Sequence, residues 1–273
     1  MNVYVGSAGW SYPDWKGRVY PESSPRGFDE LAYIASLFPV VEINSSFYRP
    51  PSARMAESWV RRTPEGFRFT AKLWEKFTHG SDPFTGEEVR QFQEGLAPLL
   101  GAGKLSALLL QFPWSFQDSS AARDRIRSVC GAFEGWAPLV VEVRHRSWLE
   151  AIDFLTALKL SFCNIDQPGS STSITGTDIV TGPVGYIRLH GRNARAWFSK
   201  EAGRDQKYDY LYSEEELRPW AEMARGMSTK CDAVFVITNN HFQGKGVLNA
   251  IQLMRLLGVP HPPVPAGLVS GFP

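Results

Sequence analysis

The stretch Val41-Glu42-Ile43-Asn44-Ser45-Ser46-Phe47-Tyr48 begins as a strand and ends in polar and aromatic residues. Its alternation places the two β-branched residues on one face of the strand and Glu42 and Asn44 on the other. A strand that buries a carboxylate either builds a site or satisfies a buried polar network. The same alternation returns in Val141-Glu142-Val143-Arg144 and in Tyr186-Ile187-Arg188-Leu189-His190. We interpret these stretches as parallel strands that present polar groups to one shared interior.

Length and composition are those of a soluble globular protein. The 273 residues are enough for one large α/β domain. The 43% hydrophobic and 13% aromatic residues exclude disorder, and the longest apolar runs are too short to span a membrane. The net charge of +1 argues against broad electrostatic binding to nucleic acid. The N-terminus has no basic region followed by an apolar segment, so we expect no signal peptide and a cytoplasmic location.

Strand and helix patterns alternate along the whole chain. Apolar and alternating stretches predict eight strands, which begin near Val3, Val40, Phe67, Leu105, Leu139, Leu160, Gly185 and Ala233. Capping-box spacing predicts helix starts at Thr85 with Glu88, Ser147 with Glu150, and Ser213 with Glu216. The stretch 167–183 is rich in Ser, Thr and Gly and has no helical period, which predicts that the sixth helix is replaced by a loop.

This alternation predicts a (β/α)8 TIM barrel of the α/β class. No Gly-rich dinucleotide fingerprint follows the first strand, which favours a closed parallel barrel over an open doubly wound sheet. We place a single barrel domain at residues 1–258 and a Pro-rich C-terminal tail at residues 259–273. The chemistry of such barrels lies at the C-terminal ends of the strands, where this sequence is polar. The two-residue spacing of Asn164 and Asp166 predicts that both side chains face inward from strand six.

Two carboxylates lead the candidates for catalysis. Glu42 on strand two and Glu142 on strand five can act as general acid and base, because burial and nearby cations separate carboxylate pKa values inside a barrel. His190, at the end of strand seven, completes the predicted catalytic set. The alternative is an ion network at the barrel mouth, in which arginines pair with Glu142 and Lys72 pairs with Glu42.

Polar and aromatic residues at the predicted strand ends form the candidate substrate-binding set. Uncharged donors and acceptors around a ring suit a hydroxyl-rich or heterocyclic ligand, and aromatic residues of the first loop can stack on a sugar or a base. The set consists of Trp10, Tyr12, Asn44, Tyr48, Lys72, Gln111, Arg144, Asp166, Arg188, Arg192, Asn239 and Asn240. The alternatives are aromatics that pack on one another as a lid and amides that satisfy strand-end backbone groups.

A second expectation is an anion site between the loops after strands seven and eight. Gly244 and Gly246 precede the final helix and would let its backbone N–H groups approach an anion. Arg188, Arg192 and Arg195 would close over the ligand with forked donors. The alternative is that the glycines only turn the chain and that the arginines lie in solvent.

Histidines after strands five, seven and eight offer a further alternative, a bound divalent metal. His145, His190 and His241 could converge there with carboxylates. No local ligand spacing supports such a site, so we predict neither a metal nor another cofactor.

Several motifs carry a family resemblance. They are the stretches 42–48 and 142–144, Gly9-Trp10-Ser11-Tyr12, Gln111-Phe112-Pro113, Ser147-Trp148, Arg188-Leu189-His190-Gly191 and Asn239-Asn240-His241. In this order they resemble the YecE-like family over almost the whole chain. The resemblance implies a TIM barrel of unassigned activity, in a family compared on fold grounds with xylose-isomerase-like and endonuclease IV barrels. It supplies no reaction.

The sequence therefore predicts an enzyme that acts on a small anionic or polyhydroxylated substrate by acid–base chemistry. A sugar, a phosphosugar or a nucleotide-like molecule fits this class, and within it we expect hydrolase or lyase action. One alternative is a protein that binds or processes nucleic acid by stacking bases on the aromatic residues. Another is a non-catalytic, ligand-binding barrel. We expect no membrane partner, and the sequence leaves the oligomeric state open.

Overall fold

Eight parallel strands close into a barrel in chain order. The computed structural model of the protein describes residues 1–80, 82–199 and 201–272. The strands are β1 Val3–Ala8, β2 Val40–Ile43, β3 Arg68–Lys72, β4 Leu105–Gln111, β5 Leu139–Glu142, β6 Ser161–Asp166, β7 Val184–Leu189 and β8 Ala233–Thr238. The last strand pairs with the first, and this pairing confirms the predicted TIM barrel.

Helices connect most of the strands and cover the barrel. The longer ones are α1 Glu30–Leu37, α3 Ala53–Arg61, α5 Gly86–Gly101, α6 Ser120–Ala132, α10 Glu214–Ser228 and α11 Lys245–Leu257. The shorter ones are α2 Ser45–Tyr48, α4 Glu75–Thr78, α7 Ile152–Ala157, α8 Ala194–Trp197, α9 Arg204–Lys207 and α12 Ala266–Gly271. Residues 167–183 contain no helix, which confirms that a loop replaces the sixth one.

Strand register decides which side chains face the barrel interior. Partners in a parallel pair point to the same side of the sheet, and Glu42 pairs with Thr70 while Gln111 pairs with Glu142. On β7, Arg188 lies opposite Ile165 and Ile237. The interior layer near the carboxyl ends of the strands is therefore polar on several strands at once.

Register also corrects the prediction for strand six. Cys163 and Ile165 face the interior, so Asn164 and Asp166 face outward. The amide of Asn164 accepts a hydrogen bond from the backbone N–H of Ile179 and donates one to its carbonyl, both at 2.9 Å. This side chain holds the loop that stands where a helix would be. Asn164 and Asp166 do share one face of β6, as their spacing predicts, but it is the outer face and not the inner one.

Two of the three predicted capping boxes form. Thr85 and Ser213 each accept a hydrogen bond from the backbone three residues on, and Glu88 and Glu216 return it. The third prediction is wrong, because Ser147 lies inside a 3₁₀ helix spanning Arg146–Ala151 that is capped by His145. The hydroxyl of Ser147 instead accepts a hydrogen bond from the backbone N–H of Asp118 at 2.9 Å.

The segment after residue 258 packs on the barrel. Gly258 ends α11 with φ of 70°, in the left-handed conformation that glycine adopts readily. Leu268 of α12 is fully buried in the main hydrophobic core. Within the described residues, none of the helices combines the length and the apolar character that crossing a membrane requires.

Candidate functional site

A cavity of about 470 Å³ lies at the carboxyl ends of the strands. Every strand except β6 contributes to it, either from its last residues or from the loop that follows. The lining residues are Gly9, Trp10, Ser11, Tyr12, Asn44, Ser45, Tyr48, Met55, Trp59, Lys72, Gln111, Arg144, Arg188, Tyr208, Asn239 and His241. This is the position at which TIM-barrel enzymes bind their substrates.

Three cationic side chains line this cavity. Lys72 ends β3, Arg188 lies on β7, and Arg144 follows β5. Lys72 Nζ donates a hydrogen bond to Gln111 Oε1 at 2.8 Å and lies 4.1 Å from the centre of the Phe47 ring. Burial lowers the pKa of Lys72 to about 8, and the charges of Arg188 and Arg144 act in the same direction against Glu42 and Glu142.

Arg188 joins two carboxylates below the cavity. Its Nη2 donates to Glu42 Oε1 at 2.6 Å, and its Nη1 donates to Glu142 Oε2 at 2.5 Å. Arg144 holds the other oxygen of Glu142, through Nε at 2.9 Å and Nη2 at 2.6 Å. Tyr186 donates its hydroxyl to Glu42 Oε2 at 2.9 Å. The ion network predicted as the alternative therefore forms, except that Arg188 takes the place of Lys72 at Glu42.

The protonation of this network follows from its pairs. Burial would raise the pKa of Glu142, but the guanidinium groups of Arg188 and Arg144 outweigh it and hold that pKa well below its ordinary value. Burial lowers the pKa of His190 to about 3 despite the attraction of Glu142, so its imidazole is neutral at pH 7. Asn239 Nδ2 lies 2.9 Å from His190 Nδ1, which places the ring proton on Nε2, 3.6 Å from Glu142 Oε1.

The three predicted catalytic residues do not line the cavity. Glu42, Glu142 and His190 are all fully buried, and both carboxylates are occupied by arginine. In this arrangement the two carboxylates hold the guanidinium groups of Arg144 and Arg188 in place at the cavity. Direct proton transfer by these residues stays a prediction.

Aromatic residues form one wall of the cavity. Tyr12 stacks on His241 with ring centres 4.5 Å apart, and Trp10 meets Trp59 edge to face at 5.6 Å. Gly9 has φ of 79°, and a Cβ there would lie 2.7 Å from the Tyr12 hydroxyl, so glycine is needed for this loop to fold back. Tyr48 is 62% exposed at the rim. The first-loop aromatics therefore both pack on one another and face the cavity.

Most of the predicted substrate-binding residues meet at this cavity. The structure brings together Trp10, Tyr12, Asn44, Tyr48, Lys72, Gln111, Arg144, Arg188 and Asn239. Two unpartnered atoms belong to this group, because Asn44 Oδ1 and Arg188 Nε are buried without a hydrogen-bond partner among the described residues.

Five predicted binding residues lie outside this cavity: Asp166, Arg192, Asn240, Gly244 and Gly246. Asp166 and Arg192 bind each other at 2.8 Å, and Arg192 also reaches Glu216. Asn240 donates to Asn249 Oδ1 at 2.8 Å and to the Tyr210 carbonyl, which directs it toward the outer helix.

The two glycines of the predicted anion site are packed against protein. A Cβ on Gly244 would lie 2.6 Å from a Val19 methyl group and 2.8 Å from one of Leu268. A Cβ on Gly246 would lie 3.2 Å from the Asn240 carbonyl oxygen. Because Arg192 is already paired and Arg195 is exposed, the structure does not bring the parts of this site together.

Several lining residues were not identified from the sequence. Met55 and Trp59 come from α3, a covering helix, and Tyr208 follows α9 in the segment between β7 and α10. Ser11 and Ser45 lie inside the quoted motifs 9–12 and 41–48, next to residues that were predicted to bind substrate. The sequence pattern of a covering helix does not indicate which of its side chains extend over the barrel rim.

A metal would need ligands that converge. Among the residues that the structure describes, no three or more His, Cys, Asp or Glu side chains form such a group. His145 instead lies against Trp114 and hydrogen bonds to Ser147. The alternative of a divalent metal stays a prediction without a ligand set.

The closed barrel of eight parallel strands makes this a TIM-barrel protein, and a polar cavity with cationic side chains lies at the carboxyl ends of its strands. A family model described as a protein of unknown function, DUF72, matches residues 4–268, and the chain belongs to this family. It is 31% identical to the UPF0759 protein YunF of Bacillus subtilis, over 94% of this chain and 95% of that protein.

Two solved structures are similar over almost their whole length. A DUF72 family protein from Thermotoga maritima is 34% identical with a TM-score of 0.84, covering 94% of this chain and all of that one. A DUF72 family protein from Enterococcus faecalis is 26% identical with a TM-score of 0.82, covering 96% of this chain and 98% of that one. These proteins support the fold and the family.

Proposed function

We propose that this protein is an enzyme that binds a small anionic, polar molecule in the mouth cavity and transfers protons there. The observation that carries the proposal is an excess of cations at the cavity. Lys72, Arg144 and Arg188 line it, whereas the two carboxylates that neutralise the arginines are fully buried beneath. A ligand carboxylate or phosphate would meet the positive charge of these three side chains and the arginine N–H groups that the two carboxylates leave unused.

The uncharged lining supports a hydroxyl-rich ligand. Asn44, Gln111 and Asn239 offer amide donors and acceptors around the anion-binding side chains, and the wall of Trp10 and Tyr12 offers aromatic faces. Sugars present hydroxyl groups and apolar ring faces together. A sugar phosphate or a sugar acid matches this lining better than a purely apolar anion. The choice between hydrolase and lyase action is left to the assay.

Lys72 is the best-placed group for proton transfer at the cavity. Lys72 lines the cavity, and a pKa of about 8 lets its amine exchange a proton near physiological pH. Glu42 and Glu142 would support it by holding Arg188. Cytoplasmic location and the narrower YecE-like label stay our inferences from the sequence.

Calorimetric titration with inorganic phosphate and glucose 6-phosphate tests the binding step. We expect Arg144→Gln to weaken binding by about tenfold or more, which corresponds to losing roughly 1.4 kcal/mol. Arg192→Gln is the matched control, because that arginine is ion-paired outside the cavity. Equal affinity in wild type and Arg144→Gln would remove the anion site from this cavity.

Turnover is followed on the same samples with a panel of sugar phosphates and sugar acids. We expect at least one compound to be converted, with the activity lost in Lys72→Met. Tight binding without any conversion would make the protein the non-catalytic barrel considered as an alternative.

A further inference from the structure

Lys104 and Lys72 are a buried and a partly buried lysine with different surroundings. Lys104 Nζ donates to the Val60 carbonyl, the Thr63 carbonyl and the Thr63 hydroxyl, so all three of its protons are used within the protein. Lys72 Nζ makes one hydrogen bond among the described residues, to Gln111. Lys104 is therefore structural, whereas the amine of Lys72 retains bonding capacity at the cavity.

Lys72 also lacks the ion pair that the sequence suggested. Arg188 takes Glu42, and Arg144 and Arg188 share Glu142. Within the described part of the chain, no carboxylate oxygen lies within 4 Å of Lys72 Nζ. Burial and the charges of Arg188 and Arg144 destabilise the ammonium form of Lys72, and the attraction of the more distant Glu42 and Glu142 offsets this only in part.

The same surroundings make the amine reactive. With its pKa near 8, about a tenth of Lys72 is neutral at pH 7 and about half at pH 8. A lysine with an ordinary pKa has a neutral fraction at least a hundredfold smaller at pH 7. Neutral lysine amines that are desolvated or placed beside other cations are the ones that add to carbonyl groups.

We propose that Lys72 forms an imine with a substrate that carries an aldehyde or ketone group near a carboxylate or phosphate. The anionic group would lie on Arg144 and Arg188, and so the inference rests on the proposed function of this cavity. The cavity of about 470 Å³ accommodates a compound of three to six carbons together with its phosphate.

The step balances without an external oxidant or reductant. The nitrogen lone pair of neutral Lys72 attacks the carbonyl carbon, a C–N bond forms, and the C=O π electrons move to oxygen, which takes a proton. The carbinolamine then loses that oxygen as water, which carries away both amine hydrogens overall. Protonation of the imine nitrogen by solvent gives an iminium ion. This ion withdraws electrons from the adjacent carbon and so weakens its C–H and C–C bonds.

Reductive trapping tests the proposal directly. The protein is incubated with sodium cyanoborohydride and one of three probes, pyruvate, glyoxylate or dihydroxyacetone phosphate, and the labelled lysine is located by peptide mass spectrometry. We expect a secondary-amine adduct at Lys72 with at least one probe, formed faster at pH 8 than at pH 6. Inorganic phosphate should slow the labelling, because it competes for the arginines.

Two variants and a binding control make the outcome decisive. Lys72→Arg keeps a positive charge but cannot form the imine, so its adduct should disappear, whereas Lys230→Met removes an exposed lysine and should leave the Lys72 adduct unchanged. Phosphate binding by calorimetry together with no adduct at Lys72 would overturn the imine and leave the anion cavity standing. If phosphate does not bind and no adduct forms at Lys72, both proposals are overturned. Adducts spread equally over exposed lysines would also overturn the imine.

Discussion

Arg188 is the side chain on which the polar interior depends. It is 2% exposed, and its guanidinium group binds Glu42 and shares Glu142 with Arg144. A buried ion pair adds little stability compared with a well-packed apolar core. Removing one partner is costly, however, because it leaves an uncompensated charge inside the protein.

We expect Arg188→Met to lower the free energy of unfolding by about 3–5 kcal/mol, because Glu42 would stay buried without its cation. Urea denaturation followed by circular dichroism measures the loss. The control is Arg192→Met, whose side chain is 39% exposed and whose ion pairs should be worth under about 1 kcal/mol. Similar losses in the two variants would show that the buried network is not a stability element.

At the scale of elements, α12 supports the wall of the cavity. A Cβ on Gly267 would lie 2.2 Å from the Gly17 carbonyl oxygen, so this helix lies directly against the loop after β1. That loop is held from the other side by Trp15, whose indole N–H donates to the His241 carbonyl at 2.8 Å. The segment after residue 258 therefore contacts the same loop that carries Trp10 and Tyr12.

Leu268→Ala tests this role. Leu268 is fully buried, so its truncation should lower the free energy of unfolding by about 2–5 kcal/mol through lost burial and a residual cavity. Val269 is the matched control, because it is 61% exposed on the same helix and Val269→Ala should change stability by about 0.5 kcal/mol or less. If chemical denaturation gives equal stabilities for wild type and Leu268→Ala, the segment is an appendage rather than part of the fold.

At the scale of the whole molecule, the buried network makes stability depend on pH. His190 has a pKa of about 3 in the folded protein and about 6.5 in the unfolded chain. Between these pH values its imidazole binds a proton in the unfolded chain but not in the folded protein. Stability conferred by the neutral histidine is thus present above pH 6.5 and is lost as the pH falls toward 3. His79, with a pKa lowered to about 4, acts in the same direction, but the residue is exposed to solvent and its contribution is therefore smaller.

We expect the free energy of unfolding of the wild type to fall between pH 6.5 and pH 5, with His190 contributing up to about 1.4 kcal/mol per pH unit. His190→Asn supplies an amide oxygen for the Asn239 donor, and its free energy of unfolding should change less steeply with pH. The change that remains in this variant should include the contribution of His79. Urea midpoints at pH 7.5, 6.0 and 5.0 measure both slopes. Parallel slopes would show that His190 does not titrate differently on folding.

The local sequence pattern predicts the architecture of this protein. Eight alternating or apolar stretches, two working capping boxes and the Ser- and Thr-rich segment 167–183 predicted the barrel and its missing helix. These features are local because hydrophobic periodicity and cap spacing act within a few residues. They placed Lys72, Gln111 and Arg144 at strand ends, where the cavity was found.

Tertiary structure decided what local pattern cannot contain. Spacing of two residues states that Asn164 and Asp166 share a face but not which face, because that choice is made by register with β7. The pairing of charged side chains likewise depends on their distances across the barrel. Glu42 therefore binds Arg188 and not Lys72. The sequence by itself determined the barrel and the polar ring at its mouth. Closure of the barrel decided which cations are neutralised, because only then do side chains more than a hundred residues apart come within hydrogen-bond distance.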